Sequence, residues 1–409
     1  MKVAFVTPRY GPQVIGGAEA AARQLAEHLV AETAWEAEVY STCALDPPTW
    51  ADELAPGDTE IGGVTVHRFV ADHGRLADFA LLDGRLRRAP QRASMAEARQ
   101  WVDANGPVSH ELVDAVAGAD ADVVAFYPYL YHPTVAAIER VTVPSVLHPA
   151  AHDEPALYLP VFGQTFGAAD AFCYHGTAER RLVERVFPVA ARPQIELGLG
   201  VGPSAGTGRR GAEVLHLADR PYIVSVGRVD EQKGSTMLSA YFAEYKQRHP
   251  GPLALVLIGP VSAPLAPHPD IVVTGTVSEA DKWDIVHDAV VSVSPSALES
   301  FSLVVLEAWV DGVPVLVNGR CEPTMEHCRR SGGGLWFTSY LEFEAVLQRL
   351  IDDPQLRRSL GGRGRAYVER HYRWPELIGR YADFLERVVA RGTRRTSGPV
   401  PIASSSRSA

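Results

Sequence analysis

A chain of 409 residues is too long for one core of ordinary size, so two domains are expected. Hydrophobic residues make up 46% of it, which fits a globular protein and not a disordered one. Its 39 basic against 49 acidic residues give a net charge of −10, which argues against a nucleic-acid binder.

The four cysteines, Cys43, Cys173, Cys321 and Cys328, are scattered, and no C-x-x-C pair occurs. This points to a reducing cytoplasm and away from a zinc site, even with His327 beside Cys328. The opening MKVAFVTPRY has too short an apolar run for a signal peptide. No stretch approaches the roughly 20 residues of a membrane span, so a cytoplasmic protein is expected. Arg85, Arg87, Arg88 and Arg92 are the candidate patch for peripheral membrane contact, and a solvated face is the plainer reading.

Residues 2–7 are apolar without alternation, as a central parallel strand would be. A Gly/Pro-rich loop follows, with Gly16 and Gly17 just before a helix over 18–30. Glycines there let a ligand approach the backbone, although an ordinary tight turn explains them equally well. Strands are expected over 37–43 and 64–70. Residues 76–105 have helical composition with a break near Pro90. Asp120 and Asp122 stand before a strand over 121–126 as helix-to-strand turn residues. The strand in PSVLHPAAH then places His148 and His152 near its carboxyl end, where α/β sheets form ligand crevices. A hydrogen-bonded core histidine is the alternative for either. A strand over 170–174, a short helix over 176–186 and a strand beginning near Ile195 follow. The Gly-, Ser- and Arg-rich stretch 204–211 reads as a linker or flexible loop near the domain boundary.

The second half repeats the strand–helix alternation. A strand over 222–226 runs into GRVDEQKG, with a helix beginning near Ser235. Arg228 and Lys233 thus stand at the carboxyl edge of a sheet, suited to a diphosphate or else merely surface cations. Strands over 253–259 and 271–277 and a helix over 280–287 lead to VVSVSPSALESFSLVVLEAWVDGVPVLVN. This stretch reads as strand, polar loop, helix and strand, with Gly312 as the glycine that ends the helix. Glu299 lies in the loop and Glu307 about one and a half turns into the helix. Between them the main chain of Phe301, Ser302, Leu303 and Val304 offers unpaired N–H donors at a helix start, suited to a phosphate. Solvated helix-end charges are the alternative for the two glutamates. Residues 319–337 read as a loop and short helix ending in a Gly-rich turn. Amphipathic helices are expected over 342–350 and 355–372, a last helix over 374–390 and a disordered tail over 391–409.

ESFSLVVLEA resembles the E-x7-E block of the retaining family 4 glycosyltransferases. AWVDGVPVL and the G-R-x-x-x-x-K-G spacing fit the same family, and the resemblance runs from Lys2 to about Val389. Ser300 and Ser302 stand where that family commonly has glycines. The resemblance implies an α/β GT-B fold: two Rossmann-like α/β domains facing across a cleft, with the C-terminal helix crossing back to the N-terminal domain. Residues 1–200 would bind the acceptor, 212–373 the nucleotide-sugar, and 374–390 form the returning helix.

By the same resemblance, Arg228 and Lys233 neutralise the leaving diphosphate, and Thr276 and Val277 contact the base. Glu307 binds ribose, Glu299 holds the sugar, and Gly16 and Gly17 contact donor phosphate or acceptor. His152 fits the family's His-Asp best, with His148 second. The D-x-D string binds metal in the other large glycosyltransferase fold, and the GT-B pattern requires none. The implied reaction is transfer from a UDP- or GDP-sugar co-substrate, without metal or further cofactor. The acceptor would be an envelope glycan or a small natural product. A catalytically silent sugar-nucleotide-binding subunit and a GT-B epimerase are the alternatives. Richness in Ala, Arg and Gly hints at a high-GC bacterium.

Overall fold

The computed structural model describes residues 1–14, 17–217, 219–393 and 402. The chain divides into two compact units: Met1–Leu199 with the stretch from Pro375 onward, and Gly200–Trp374.

The first unit holds β1 (Lys2–Val6), β2 (Glu36–Thr42), β3 (Gly57–Ile61), β4 (Val64–Phe69), β5 (Val123–Phe126), β6 (Ser145–Leu147), β7 (Ala171–Tyr174) and β8 (Gln194–Glu196). They form one sheet in the order β3-β4-β2-β1-β5-β6-β7-β8. Every pairing is parallel except β3 with β4. Val3 to Val6 and Val123 to Phe126 have no exposed surface. Burial on both faces is why these strands read as unbroken apolar runs. β3, with sequence GDTEI, is polar and exposed, so an apolar-pattern reading passes over it. It is held by a hairpin whose turn residues Gly62 and Gly63 have φ of 60° and 78°, as a type I′ turn requires.

The expected break near Pro90 is present. Helices Phe79–Leu86 and Met95–Asn105 flank a 3₁₀ turn at Pro90–Arg92, and a reciprocal Ser94–Glu97 cap starts the second helix. The last helix, Trp374–Arg391, contributes Leu377, Ile378, Tyr381, Phe384, Leu385 and Val388 as a buried stripe. From Pro375 on it belongs to the first unit, and Arg380 donates to the Glu196 carbonyl at 2.7 Å. Arg391, expected in the tail, is its final residue; the tail residues 394–401 and 403–409 lie outside the described residues.

The second unit holds β9 (Tyr222–Val226), β10 (Ala254–Ile258), β11 (Ile271–Gly275), β12 (Val291–Ser294), β13 (Val315–Asn318) and β14 (Gly334–Phe337). Their order is β11-β10-β9-β12-β13-β14, all parallel. Counted within the unit this is the doubly wound 3-2-1-4-5-6 order, and the strand order reverses between β9 and β12.

Two expectations are corrected here. The stretch read as a Gly-rich turn contains β14, a strand of only four residues whose first is glycine. Residues 204–211, read as a linker or flexible loop, are pinned. The Asp284 carboxylate accepts from Thr207 Oγ1 at 2.6 Å and from the Gly208 N–H at 3.0 Å, and Arg209 pairs with Asp281.

Candidate active site

Loops after β9 and β12 meet at the point where the strand order reverses. Gly227 and Gly259 directly follow β9 and β10 with φ of 139° each, and a Cβ on Gly259 would stand 2.0 Å from the Gly227 carbonyl oxygen. That contact admits only glycine and fixes where Arg228 departs. Asp230, which is buried, knits the loop: its carboxylate accepts the Lys233 N–H at 2.7 Å and lies 3.2 Å from the Arg228 guanidinium. Gly234 has φ of 77°, and a Cβ there would stand 2.6 Å from the Pro295 carbonyl oxygen. Its missing side chain lets this loop lie against the loop after β12. Lys233 Nζ thereby reaches Glu299 Oε1 at 2.7 Å. Arg228 keeps half its side chain in solvent.

Past Glu299 the chain enters helix Leu303–Val310 through Ser302, which has φ of 73°. The Ser302 hydroxyl is buried and has no hydrogen-bond partner among the described residues. The backbone N–H groups of Leu303 and Val304 open the helix, where an anion is favoured. Phe301 turns its ring into the core, edge-on to His327 and Tyr372, so only its main chain lies at the turn. Further along, Glu307 Oε1 sits 3.2 Å from Lys282 Nζ, and Lys282 also reaches Glu279 at 2.7 Å. Burial pushes the Glu307 carboxyl above its ordinary value, and the Lys282 ammonium opposes the shift. Burial would lower the Lys282 value, but Glu307 and Glu279 outweigh it and the net shift is upward. Thr276 and Val277 lie just beyond β11, which ends at Gly275 and is two residues shorter than expected. The next residue, Ser278, caps helix Glu279–His287 by accepting the Asp281 N–H at 3.1 Å.

In the first unit, Gly16 lies outside the described residues. Gly17 begins helix Gly17–Glu32 with open space where a Cβ would stand. Two residues on, Glu19 is buried and accepts from Arg9 Nε at 2.8 Å. The two candidate histidines separate clearly. His148 is 2% exposed, bonds Tyr381 Oη at 2.9 Å and stacks on Tyr127 at 4.8 Å. It is a core histidine. His152 remains about one-third exposed, with Nε2 3.5 Å from Glu154 Oε1. Its loop is held by Glu179, whose buried carboxylate accepts the N–H of Ala151 at 2.8 Å and of His175 at 2.6 Å. Ala150 also donates to it, from a left-handed φ of 52°.

Sequence reasoning missed Asp230, Lys282 and Glu179. Asp230 sits inside the recognised GRVDEQKG block, so the spacing itself could have flagged it. The other two are acid or base in helical first turns, and only the tertiary fold supplies their partners.

Among the described residues no group of three His, Cys, Asp or Glu side chains could hold a metal ion. The Asp122 carboxylate accepts the Lys2 N–H at 2.8 Å and so anchors the start of β1. No described helix is long and apolar enough to cross a membrane. Within the basic patch, Arg85 pairs with Glu97 and Arg87 with Asp83. All four cysteines are buried free thiols.

Residues 212–367 match the family model described as glycosyl transferases group 1, so the second unit carries such a domain. The whole chain shares the GT-B fold. It is similar to sucrose-phosphate synthase from Thermosynechococcus elongatus, with a TM-score of 0.71 and 18% identity over 95% of this chain and 99% of that one. Alpha,alpha-trehalose 6-phosphate synthase from Burkholderia multivorans matches with a TM-score of 0.68 and 15% identity, over 95% and 99%. Anabaena HepE, in complex with UDP and glucose, matches with a TM-score of 0.65 and 13% identity, over 95% and 100%.

Proposed function

We propose that this protein is a glycosyltransferase of the family 4 type. It would move a sugar from a UDP- or GDP-sugar to an acceptor hydroxyl with retention at the anomeric carbon, without metal or further cofactor. One observation carries the reading: the 2.7 Å contact of Lys233 with Glu299, which joins the cation loop after β9 to the acidic turn after β12. The group 1 match over this unit and the UDP and glucose held by the HepE structure support it.

In this reading Arg228, Lys233 and the N–H groups at Leu303 and Val304 stabilise the charge that grows on the departing diphosphate. Preorganised donors of this kind supply the largest catalytic term in many enzymes. Glu299 holds sugar hydroxyls, Glu307 the ribose, and Thr276 and Val277 the base. The first unit is assigned the acceptor, an envelope glycan or small natural product, and His152 the orientation of the sugar. The acceptor oxygen bonds to the anomeric carbon as the bond to phosphate breaks, and the acceptor proton passes to the leaving phosphate oxygen.

Incubation with UDP- and GDP-hexoses and a panel of acceptors tests the reading. The expected result is release of nucleoside diphosphate that depends on acceptor, with the product's anomeric configuration retained by NMR. Inversion, or a glycosyl group trapped covalently on Glu299, overturns the mechanism.

A further inference from the structure

Each acid of the E-x7-E block has a lysine partner, and only one of these lysines belongs to a recognised motif. Glu299 meets Lys233, and Glu307 meets Lys282. Lys282 lies on helix Glu279–His287, directly after the segment assigned to the base. Its two contacts are unequal. Glu279 is 77% exposed, where an ion pair contributes little, whereas Glu307 keeps only 21% of its side chain in solvent. A carboxylate in so dry a place stays charged only if a cation or several donors face it. Lys282 is the cation that an ion pair gives Glu307 among the described residues.

We propose that Lys282 is a positioning residue for ribose recognition: its ammonium keeps Glu307 ionised and turned so that both carboxylate oxygens can accept hydroxyl protons. The proposal rests on the glycosyltransferase reading and names a residue which that reading does not use. An ionised carboxylate can accept from the 2′ and 3′ hydroxyls together. A protonated one must spend an oxygen as donor and loses half of that match. Glu307 Oε1 faces Lys282, which leaves Oε2 and the second lone pair of Oε1 for the sugar. A pair that merely fastened two helices would affect every nucleotide equally. A pair that reads ribose would not.

The test is calorimetric titration of the full chain with UDP and GDP, and with the 2′-deoxy form of whichever binds better. The wild-type protein is expected to prefer the ribonucleotide by about tenfold, the scale of one hydrogen bond to a charged group. Lys282→Met should weaken the ribonucleotide by about tenfold and change the deoxynucleotide less than about threefold, erasing the preference. Glu307→Gln should do the same, and the double variant should be no weaker than either single one, since both act through one contact. Lys282→Arg should retain the preference. An equal loss for both nucleotides, or additive losses in the double variant, overturns the proposal. So does a wild-type protein without ribose preference, which needs no variant to fold. Failure of the wild-type protein to bind either diphosphate would instead overturn the glycosyltransferase reading.

Discussion

The carboxyl ends of the two sheets are built from opposite materials. In the first unit, Tyr127, His148 and His175 are buried. They link into a chain in which Tyr127 meets His175, and His148 meets Tyr381 of the last helix. Burial holds the His148 imidazole down at about 3 and that of His175 at about 4, so both are neutral. In the second unit the equivalent edge carries Arg228, Asp230, Lys233 and Glu299 as ion pairs that solvent still reaches. Polar residues at a sheet end are therefore not equivalent. A filled, neutral edge holds the fold together, and a charged, half-open edge can exchange internal partners for a ligand. The contrast also separates His148 from His152, which stand four residues apart and differ in whether a partner has closed over them.

Breaking the charged edge should have the largest effect, and on turnover rather than on folding. Lys233→Ala and Glu299→Gln should each lower glycosyl transfer by about 10²–10³-fold, the scale for loss of a group facing developing charge. The Lys233–Glu299 pair is partly exposed, so its removal should cost less than about 1 kcal/mol of stability. Steady-state rates together with urea unfolding check both halves. If Lys233→Ala unfolds the protein while turnover per folded molecule holds, the two edges are alike after all.

The neutral edge should respond in the reverse sense. His148→Ala leaves the buried Tyr381 hydroxyl without its partner and opens a void beside Tyr127. Urea unfolding should show a loss of about 2–4 kcal/mol. Proton linkage adds a signature. For His148 and His175 the unfolded chain binds protons first, so their contribution is complete above the ordinary value of 6.5 and is lost as pH falls toward 3–4. Glu179 runs the other way. Burial raises it from 4.5 to about 8 against its backbone donors, so its contribution is present below 4.5 and lost as pH rises toward 8. These three groups together place the stability maximum at about pH 6.5, where the rise from the two histidines ends and the loss from Glu179 takes over. His148→Gln, which keeps a hydrogen-bonding group near Tyr381, should flatten the acid limb and leave the alkaline limb in place. An unchanged acid limb would mean that His148 is not held neutral.

How much of this was legible depended on distance along the chain. Parallel strands covered on both faces announce themselves as apolar runs, and glycines at 227 and 234 bracket the loop that leaves β9. The strand–helix alternation of both halves was therefore legible in the residues, whereas the two Rossmann-like domains were implied by the resemblance. β3 and β14 could not: one is a polar edge and the other a four-residue strand opening on glycine. The partners that decide each site residue's environment were the least visible. Glu307 finds Lys282 from 25 residues away, and His148 finds Tyr381 from 233. Helical periodicity says which residues share a face of one element, and nothing about which other element that face will meet.

The smallest expected effect tests the comparison at the backbone. Ser302 and Ala150 both hold left-handed φ angles, 73° and 52°, one at each sheet end. Such a conformation costs a side-chain-bearing residue about 1–2 kcal/mol, and glycine escapes it while losing about 0.5–1 kcal/mol of unfolded-chain entropy. Ser302 carries a second cost, because its hydroxyl is buried without a partner among the described residues. Ser302→Gly should thus raise stability by about 1 kcal/mol, or about 2–4 °C in Tm for a unit of this size. Ala150→Gly removes only the backbone strain, in a loop whose N–H groups are already bound by Glu179, and should gain about half as much. Scanning calorimetry of the two variants orders them directly. A larger gain from Ala150→Gly would place the greater strain in the neutral edge. A loss of stability on Ser302→Gly would mean that the hydroxyl contributes to holding the turn at the head of helix Leu303–Val310.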